Sequence, residues 1–299
     1  MKLSTIVVNG ISKLGVKVEQ GIVDVQAAKR AIGNAADVPD SVMEAIRQGK
    51  PAIDRLEAFV GKLPLDLRPA YLLDEESIVW GPCVTEPSKI ICVGLNYRKH
   101  AEETNAAIPE YPILFNKFAN TLTGHKRDIA VPRVTEKLDY EVELVIVVGR
   151  KAKAVAKEEA LDYVFGYCCA NDLSARDLQI RTPQWLLGKT CDDFSPIGPY
   201  LVTSDEVGDP NQLELKTIVN GEVRQHSHTS DMIFHCDELV SYISKHMTLE
   251  PGDIILTGTP AGVVLGYPAD KQVYLQPGDV VTIEIEKLGT LTNRFVQEE

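Results

Sequence analysis

With 299 residues, 44% of them hydrophobic, the chain has enough material for one large domain or two ordinary ones around a substantial core. Its formal net charge of −12 argues against nucleic-acid or anionic-membrane binding through the bulk surface, so an anionic ligand would require a locally positive site. No stretch approaches 18 consecutive apolar residues, and Cys83, Cys92, Cys168, Cys169, Cys191 and Cys236 form no C-x-x-C pair, so a reduced cytoplasmic protein with no membrane contact is the simplest expectation.

Residues 1–80 differ in texture from the rest. Strand-like runs at 5–8 and 14–18 flank the turn signal Asn9-Gly10. Between 40 and 62 the apolar positions Val42, Ala45, Ile46, Ile53, Leu56 and Phe59 predict helices broken near Gly49-Lys50-Pro51. The expectation is a small α/β accessory domain over 1–80. A linker containing Gly81-Pro82 and Glu86-Pro87-Ser88 then leads into a second domain over 86–299, which opens with a buried strand at 89–94.

His100 and Glu103 follow at helical spacing, three residues apart. A carboxylate beside an imidazole can fix its tautomer and prepare it as a general base; the plainer alternative is an exposed helix surface with Lys99 and Glu102. Residues 138–150 read L-D-Y-E-V-E-L-V-I-V-V-G-R. As a strand, its period of two sends Glu141 and Glu143 to one face, which is costly on a half-buried surface unless a cation lies between them. A second apolar run at 163–170 ends in Asn171-Asp172, and Asp172 is the best candidate for a third carboxylate. Three hard oxygen donors favour Mg²⁺ or Mn²⁺, with Ca²⁺ also compatible, over Zn²⁺. The alternative reading leaves both glutamates facing water on an edge strand and Asp172 capping the following helix.

Beyond Asp172, Arg176 and Gln179 would share one stripe with it if the segment were helical. The arginine fork could then hold a ligand carboxylate while Gln179 offers a neutral donor, or Arg176 could simply pair with Asp172 or Asp177. Lys189 could bring positive charge to the same place or lie on the surface. Asn220-Gly221 signals a hairpin, 236–246 a helix, and Pro-Gly turns at 251–252 and 277–278 precede strands at 254–257 and 280–285. His226 and His228 alternate as strand ligands would, but in polar sequence that suits a solvated strand end. The loop Thr257-Gly258-Thr259-Pro260-Ala261-Gly262 lets backbone amides approach a ligand and lacks the ending of a P-loop. Many strands and few long helices indicate a β-rich α+β protein.

Five motifs, in order, resemble the fumarylacetoacetate hydrolase family: G-L-N-Y-R-K-H-A-E-E at 94–103, Y-E-V-E-L at 140–144, N-D-L-S-A-R-D-L-Q at 171–179, G-K-T-C-D-D-F-S-P-I-G-P at 188–199 and G-D-I-I-L-T-G-T-P-A-G-V at 252–263. The likeness spans roughly 86–299 and extends to bacterial members with an extra N-terminal domain, among them oxaloacetate decarboxylases. It implies a mixed β-sandwich roll, a catalytic His100–Glu103 pair on a mobile lid, Lys189 beside the metal site and Thr259 on a substrate carboxylate. Tyr97, Asn116 and Lys117 would border the pocket, although the stretch 115–117 departs from the Lys-Pro often found there. A homodimer is also implied. The expected activity is metal-dependent C–C cleavage of a small anionic 2-oxo acid through an enolate, as in oxaloacetate decarboxylases or acylpyruvate hydrolases. The alternatives are isomerisation of a hydroxymuconate-type dioate and, outside catalysis, a metal-binding scaffold.

Overall fold

The computed structural model of the chain describes residues 1–33 and 35–299. Its centre is the strand Val142–Val148, V-E-L-V-I-V-V, in which every residue is buried. Such a β-branched run, covered on both faces, belongs in the middle of a sheet. It pairs antiparallel with Val164–Asn171 on one side and with Ile254–Leu256 on the other. Around them a 12-stranded sheet extends through Ser195–Thr203 to Lys2–Val8, Ile11–Val18, Gly21–Asp24 and Leu72–Leu73, and through Ile90–Gly94 to the edge strand Ile113–Lys117.

A second, five-stranded sheet runs in the order Glu222–His228, Glu214–Val219, Val280–Ile285, Gly289–Gln297, Asp128–Val131. It covers one face of the large sheet. Leu144, Ile146, Tyr167 and Cys169 there share a core with Leu215, Ile283, Leu291 and Phe295. Val145, Val147, Cys168 and Ala170 point the opposite way, as the period of two requires, into a core with Val42, Met43, Ile46, Ile53 and Leu56. Those last residues lie on the helices Val42–Gln48 and Lys50–Val60, which meet at Gly49 as the sequence predicts.

Segment 1–80 joins the large sheet at Lys2↔Val202 and Leu3↔Leu201. Its two predicted strands are present, longer than expected, and are followed by a third, Gly21–Asp24, and by the helix Val25–Ile32, which lie outside the sequence expectations. The helix Cys236–His246 has the predicted bounds, and Asn220-Gly221 turns with φ of 51° and 85°, the paired left-handed geometry of a tight hairpin. All six cysteines are free thiols. No helix among the described residues is long and apolar enough to cross a membrane.

Candidate metal centre and active site

Glu143 stands opposite Ala170 in the pairing of the two central strands. One step further out, the Asp172 amide donates to the Glu141 carbonyl at 2.9 Å, so the antiparallel pairing continues past the strand ends. Residues 141, 143 and 172 therefore share a face, and each offers a carboxylate oxygen within 4.8 Å of the others. All three are buried, between 0% and 4% exposed. Like charges at opposing positions are destabilising, so this arrangement requires positive charge close by.

Part of that charge comes from the chain itself. Lys189 Nζ lies 2.8 Å from Glu141 Oε2 and 2.7 Å from Asp172 Oδ2. Lys117 Nζ pairs with the other Asp172 oxygen and donates to the Phe194 carbonyl at 2.6 Å. Arg176 places Nε 2.8 Å from Asp139 Oδ2 and Nη2 2.7 Å from Glu141 Oε1. Burial works to raise the Glu141 pKa, but Lys189 and Arg176 together hold it down at about 2. The same contest raises the Lys189 ammonium, where Asp172 and Glu141 outweigh burial.

Glu143 is treated differently. Its carboxylate accepts the Gly258 amide at 2.7 Å, and among the described residues no ammonium or guanidinium pairs with it. Burial first, then the charges of Asp172 and Glu141, push its pKa well up. A buried carboxylate lacking a cation, beside two more, is what a hard divalent ion neutralises. The donor set therefore fits Mg²⁺, Mn²⁺ or Ca²⁺, and supplies no thiolate or imidazole to prefer Zn²⁺. Only a glycine suits position 258: its φ is +99°, and a Cβ there would lie 2.8 Å from the Asn96 Cβ and 3.0 Å from the Val93 carbonyl oxygen.

His100 and Glu103 lie on the short helix Arg98–Glu103, with Nδ1 and Oε1 2.8 Å apart. Glu103 Oε2 accepts the Gly262 amide at 2.9 Å, which ties this helix to the loop after Ile254–Leu256. Asn96 fixes the start of the helix by bonding Phe234 through both N–H and C=O and by donating to the Thr257 carbonyl at 2.7 Å. His100, Glu141, Glu143, Arg176, Gln179, Lys189 and Thr259 all line one cavity of about 200 Å³, walled on its apolar side by Val93, Phe115, Trp185 and Leu265.

One sequence reading changes on this view. The segment after Asp172 is not one helix, because Ser174–Ala175 pairs with Leu138–Asp139 and the helix spans only Arg176–Gln179. Asp172 therefore reaches the site from the strand side. Arg176 and Gln179 meet each other at i,i+3, with Nη1 to Oε1 at 2.9 Å. His226 is exposed and pairs with Glu214, while His228 contacts Ser230, consistent with a solvated strand end.

Three further side chains escaped sequence reasoning or were left without a role. Asp139 accepts from Arg176 and from the Val264 and Leu265 amides. Lys117 and Gln225 reach the site from strands 55 and 83 residues away from their partners. Asp139, two residues before Glu141, carried a period-two signal; nothing local marks the other two.

A roll of two stacked sheets holding a three-carboxylate centre beside a histidine–glutamate pair defines a class of metal-dependent enzymes. The family model described as fumarylacetoacetate (FAA) hydrolase C-terminal matches residues 89–296, and the chain belongs to the fumarylacetoacetate hydrolase family. It is 40% identical over 283 residues to oxaloacetate tautomerase YisK of Bacillus subtilis (strain 168), covering 93% of each chain. Among solved structures it resembles a fumarylacetoacetate hydrolase from Exiguobacterium antarcticum (TM-score 0.82, 35% identity, 100% of both chains). It also resembles maleylpyruvate hydrolase from Sphingobium sp. SYK-6 in complex with manganese (II) ion and pyruvate (TM-score 0.77, 29% identity, 100% of both chains).

Proposed function

We propose that the chain uses a divalent ion, Mg²⁺ or Mn²⁺, held by Glu141, Glu143 and Asp172, to act on a small 2-oxo acid through its enolate, with proton exchange between the keto and enol forms of oxaloacetate as the first reading. The observation that carries this is Glu143, buried among converging carboxylates with no ammonium or guanidinium paired to it among the described residues, and lining the same cavity as His100. A cavity of about 200 Å³ is smaller than the roughly 300–1,000 Å³ that receives drug-sized ligands, and it suits an acid of a few carbons.

The ion, when bound, would supply positive charge where the 2-oxo group becomes an enolate. With Glu103 holding Nδ1, His100 keeps Nε2 as the base. It takes a proton from the carbon next to the 2-oxo group, and the C–H electron pair moves into the C–C bond as the carbonyl becomes an enolate oxygen. Return of the proton to that oxygen gives the enol, and the reverse sequence regenerates the keto acid. Thr259 and Gln179 would orient the carboxylate ends, with Arg176 and Lys189 offsetting the acidic field of the whole chain at short range.

C–C cleavage, by decarboxylation or by hydrolysis of an acylpyruvate, is the second reading. It is favoured by the resemblance to a maleylpyruvate hydrolase with manganese and pyruvate, because the bond that breaks leaves the same enolate. A cytoplasmic homodimer, with 1–80 as an accessory domain to 86–299, completes the proposal. The test is turnover of oxaloacetate, acetylpyruvate and a hydroxymuconate-type dioate with Mn²⁺, with EDTA, and in Glu143→Ala. Oxaloacetate exchange abolished by EDTA and by the substitution is the expected result. Tight Mn²⁺ binding with no turnover of any of the three would turn the reading toward a metal-binding scaffold.

A further inference from the structure

Gln225 lies on the strand Glu222–His228 of the smaller sheet, 1% exposed, and spends its whole amide on four partners. Oε1 accepts from the Val142 amide at 3.0 Å and from the Thr217 hydroxyl at 2.6 Å. Nε2 donates to Thr259 Oγ1 at 2.9 Å and to the Pro260 carbonyl at 2.8 Å. The orientation is unique. A flipped amide would set N–H against the Val142 N–H and oxygen against the Pro260 carbonyl, and neither contact is tolerable in a buried site.

This has a consequence for Thr259, which is buried and lines the cavity. Because Gln225 can only donate to it, the Thr259 oxygen is an acceptor there, and its own proton is left to point elsewhere. Among the described residues the hydroxyl makes no other hydrogen bond. We infer that Gln225 is a positioning residue that fixes the Thr259 hydroxyl as a donor into the cavity, favouring a ligand that presents an acceptor there, a carboxylate oxygen most strongly, over one that presents a donor. The inference rests on the proposed role of Thr259 in holding a substrate carboxylate. The donor orientation matters because an anion offers only acceptors, and a hydroxyl free to rotate would present lone pairs to it part of the time.

The full-length chain loaded with Mn²⁺ is titrated calorimetrically with oxalate, in the wild type, Thr259→Val, Gln225→Met and the double variant. Gln225→Met is expected to weaken oxalate about tenfold, and Thr259→Val at least as much. The double variant should be no weaker than Thr259→Val, since Gln225 acts through that hydroxyl alone. Mn²⁺ affinity should be unchanged throughout. Gln225→Glu keeps the shape; its carboxyl group must carry one proton to meet the Pro260 carbonyl and so faces Thr259 as an acceptor, forcing Thr259 to donate backward, and it should cost more than Gln225→Met. This isosteric variant also decides the matter if Gln225→Met does not fold: oxalate bound by Gln225→Glu as by wild type overturns the inference. Additive losses, or a fall in Mn²⁺ affinity through the Val142 contact, overturn it as well. If Thr259→Val leaves oxalate affinity intact, it is the carboxylate reading of Thr259 that fails, and the role of Gln225 falls with it.

Discussion

The Asp172 amide donates to the Glu141 carbonyl at 2.9 Å, and this one backbone bond holds two acidic side chains opposite each other just beyond the ends of their strands. The sheet thus fixes the spacing of the carboxylates through its own ladder, without contribution from a flexible loop. Sites built on paired strands are held more rigidly than sites on loops.

Glu143→Gln should separate binding from stability. Removing one buried negative charge relieves the repulsion from Asp172 and Glu141, so the metal-free protein is expected to melt higher by roughly 2–4 °C. The same variant should lose Mn²⁺ affinity by a factor of 100 or more and gain nothing in melting temperature from added Mn²⁺. Thermal melts with EDTA and with Mn²⁺, run on both proteins, check the two directions together.

His100→Ala and Glu103→Gln address the dyad. Neither side chain touches the three carboxylates by hydrogen bond, so Mn²⁺ binding should persist while oxaloacetate exchange falls by about 10² to 10⁴ for His100→Ala. Glu103→Gln should cost less, because the amide can still contact Nδ1 but presents either end to it. An unchanged rate in His100→Ala would remove this residue from the mechanism.

Lys117→Met removes one of the two ammonium partners of Asp172 from a fully buried site. Breaking one side of a buried ion pair leaves the other charge uncompensated, and a destabilisation of about 3 kcal/mol is expected in the metal-free state. Mn²⁺ should recover part of it, by giving Asp172 another cation. Chemical denaturation with and without Mn²⁺ measures the difference.

The pH dependence of stability should carry a contribution from His125, away from the carboxylate centre. Burial, and then the neighbouring Lys126, lower its pKa from 6.5 to about 4. Its Nδ1 accepts the Thr292 amide at 2.9 Å and the ring packs edge-on against Trp80, both of which suit a neutral imidazole. Between these two values the unfolded chain binds the proton and the folded one does not, so stability rises with pH. The contribution is fully present above about 6.5 and is lost as pH falls toward 4. His125→Asn should flatten that part of the profile in denaturant titrations between pH 4.5 and 7.5.

Deletion of residues 1–80 should abolish independent folding of the remainder. Leu3, Leu14, Val42, Met43, Ile46 and Leu56 share one core with Val145, Val147, Cys168 and Ile254, so the truncated chain would expose the back of its central strands. A single cooperative transition for the full chain, and an aggregating product for 86–299, are the expected observations. A soluble, Mn²⁺-binding fragment would show that the accessory segment is dispensable to the core.

Much of the centre is local and therefore readable along the chain. The period of two in Y-E-V-E-L places Glu141 and Glu143 on one face whatever the rest of the fold does, and the three-residue spacing of His100 and Glu103 brings them together on any helical turn. Asp172 was legible as a polar residue at the end of an apolar run. What the residues could not convey is who neutralises whom. Lys117, Asp139 and Gln225 reach their partners through pairings between segments 37 to 83 residues apart, and Ser174–Ala175 takes strand geometry because Leu138–Asp139 lies beside it. Local sequence sets periodicity and turn chemistry, because those depend on near neighbours. Net charge in a buried cavity depends on which distant side chains the sheet order brings there, and only the tertiary structure decides that.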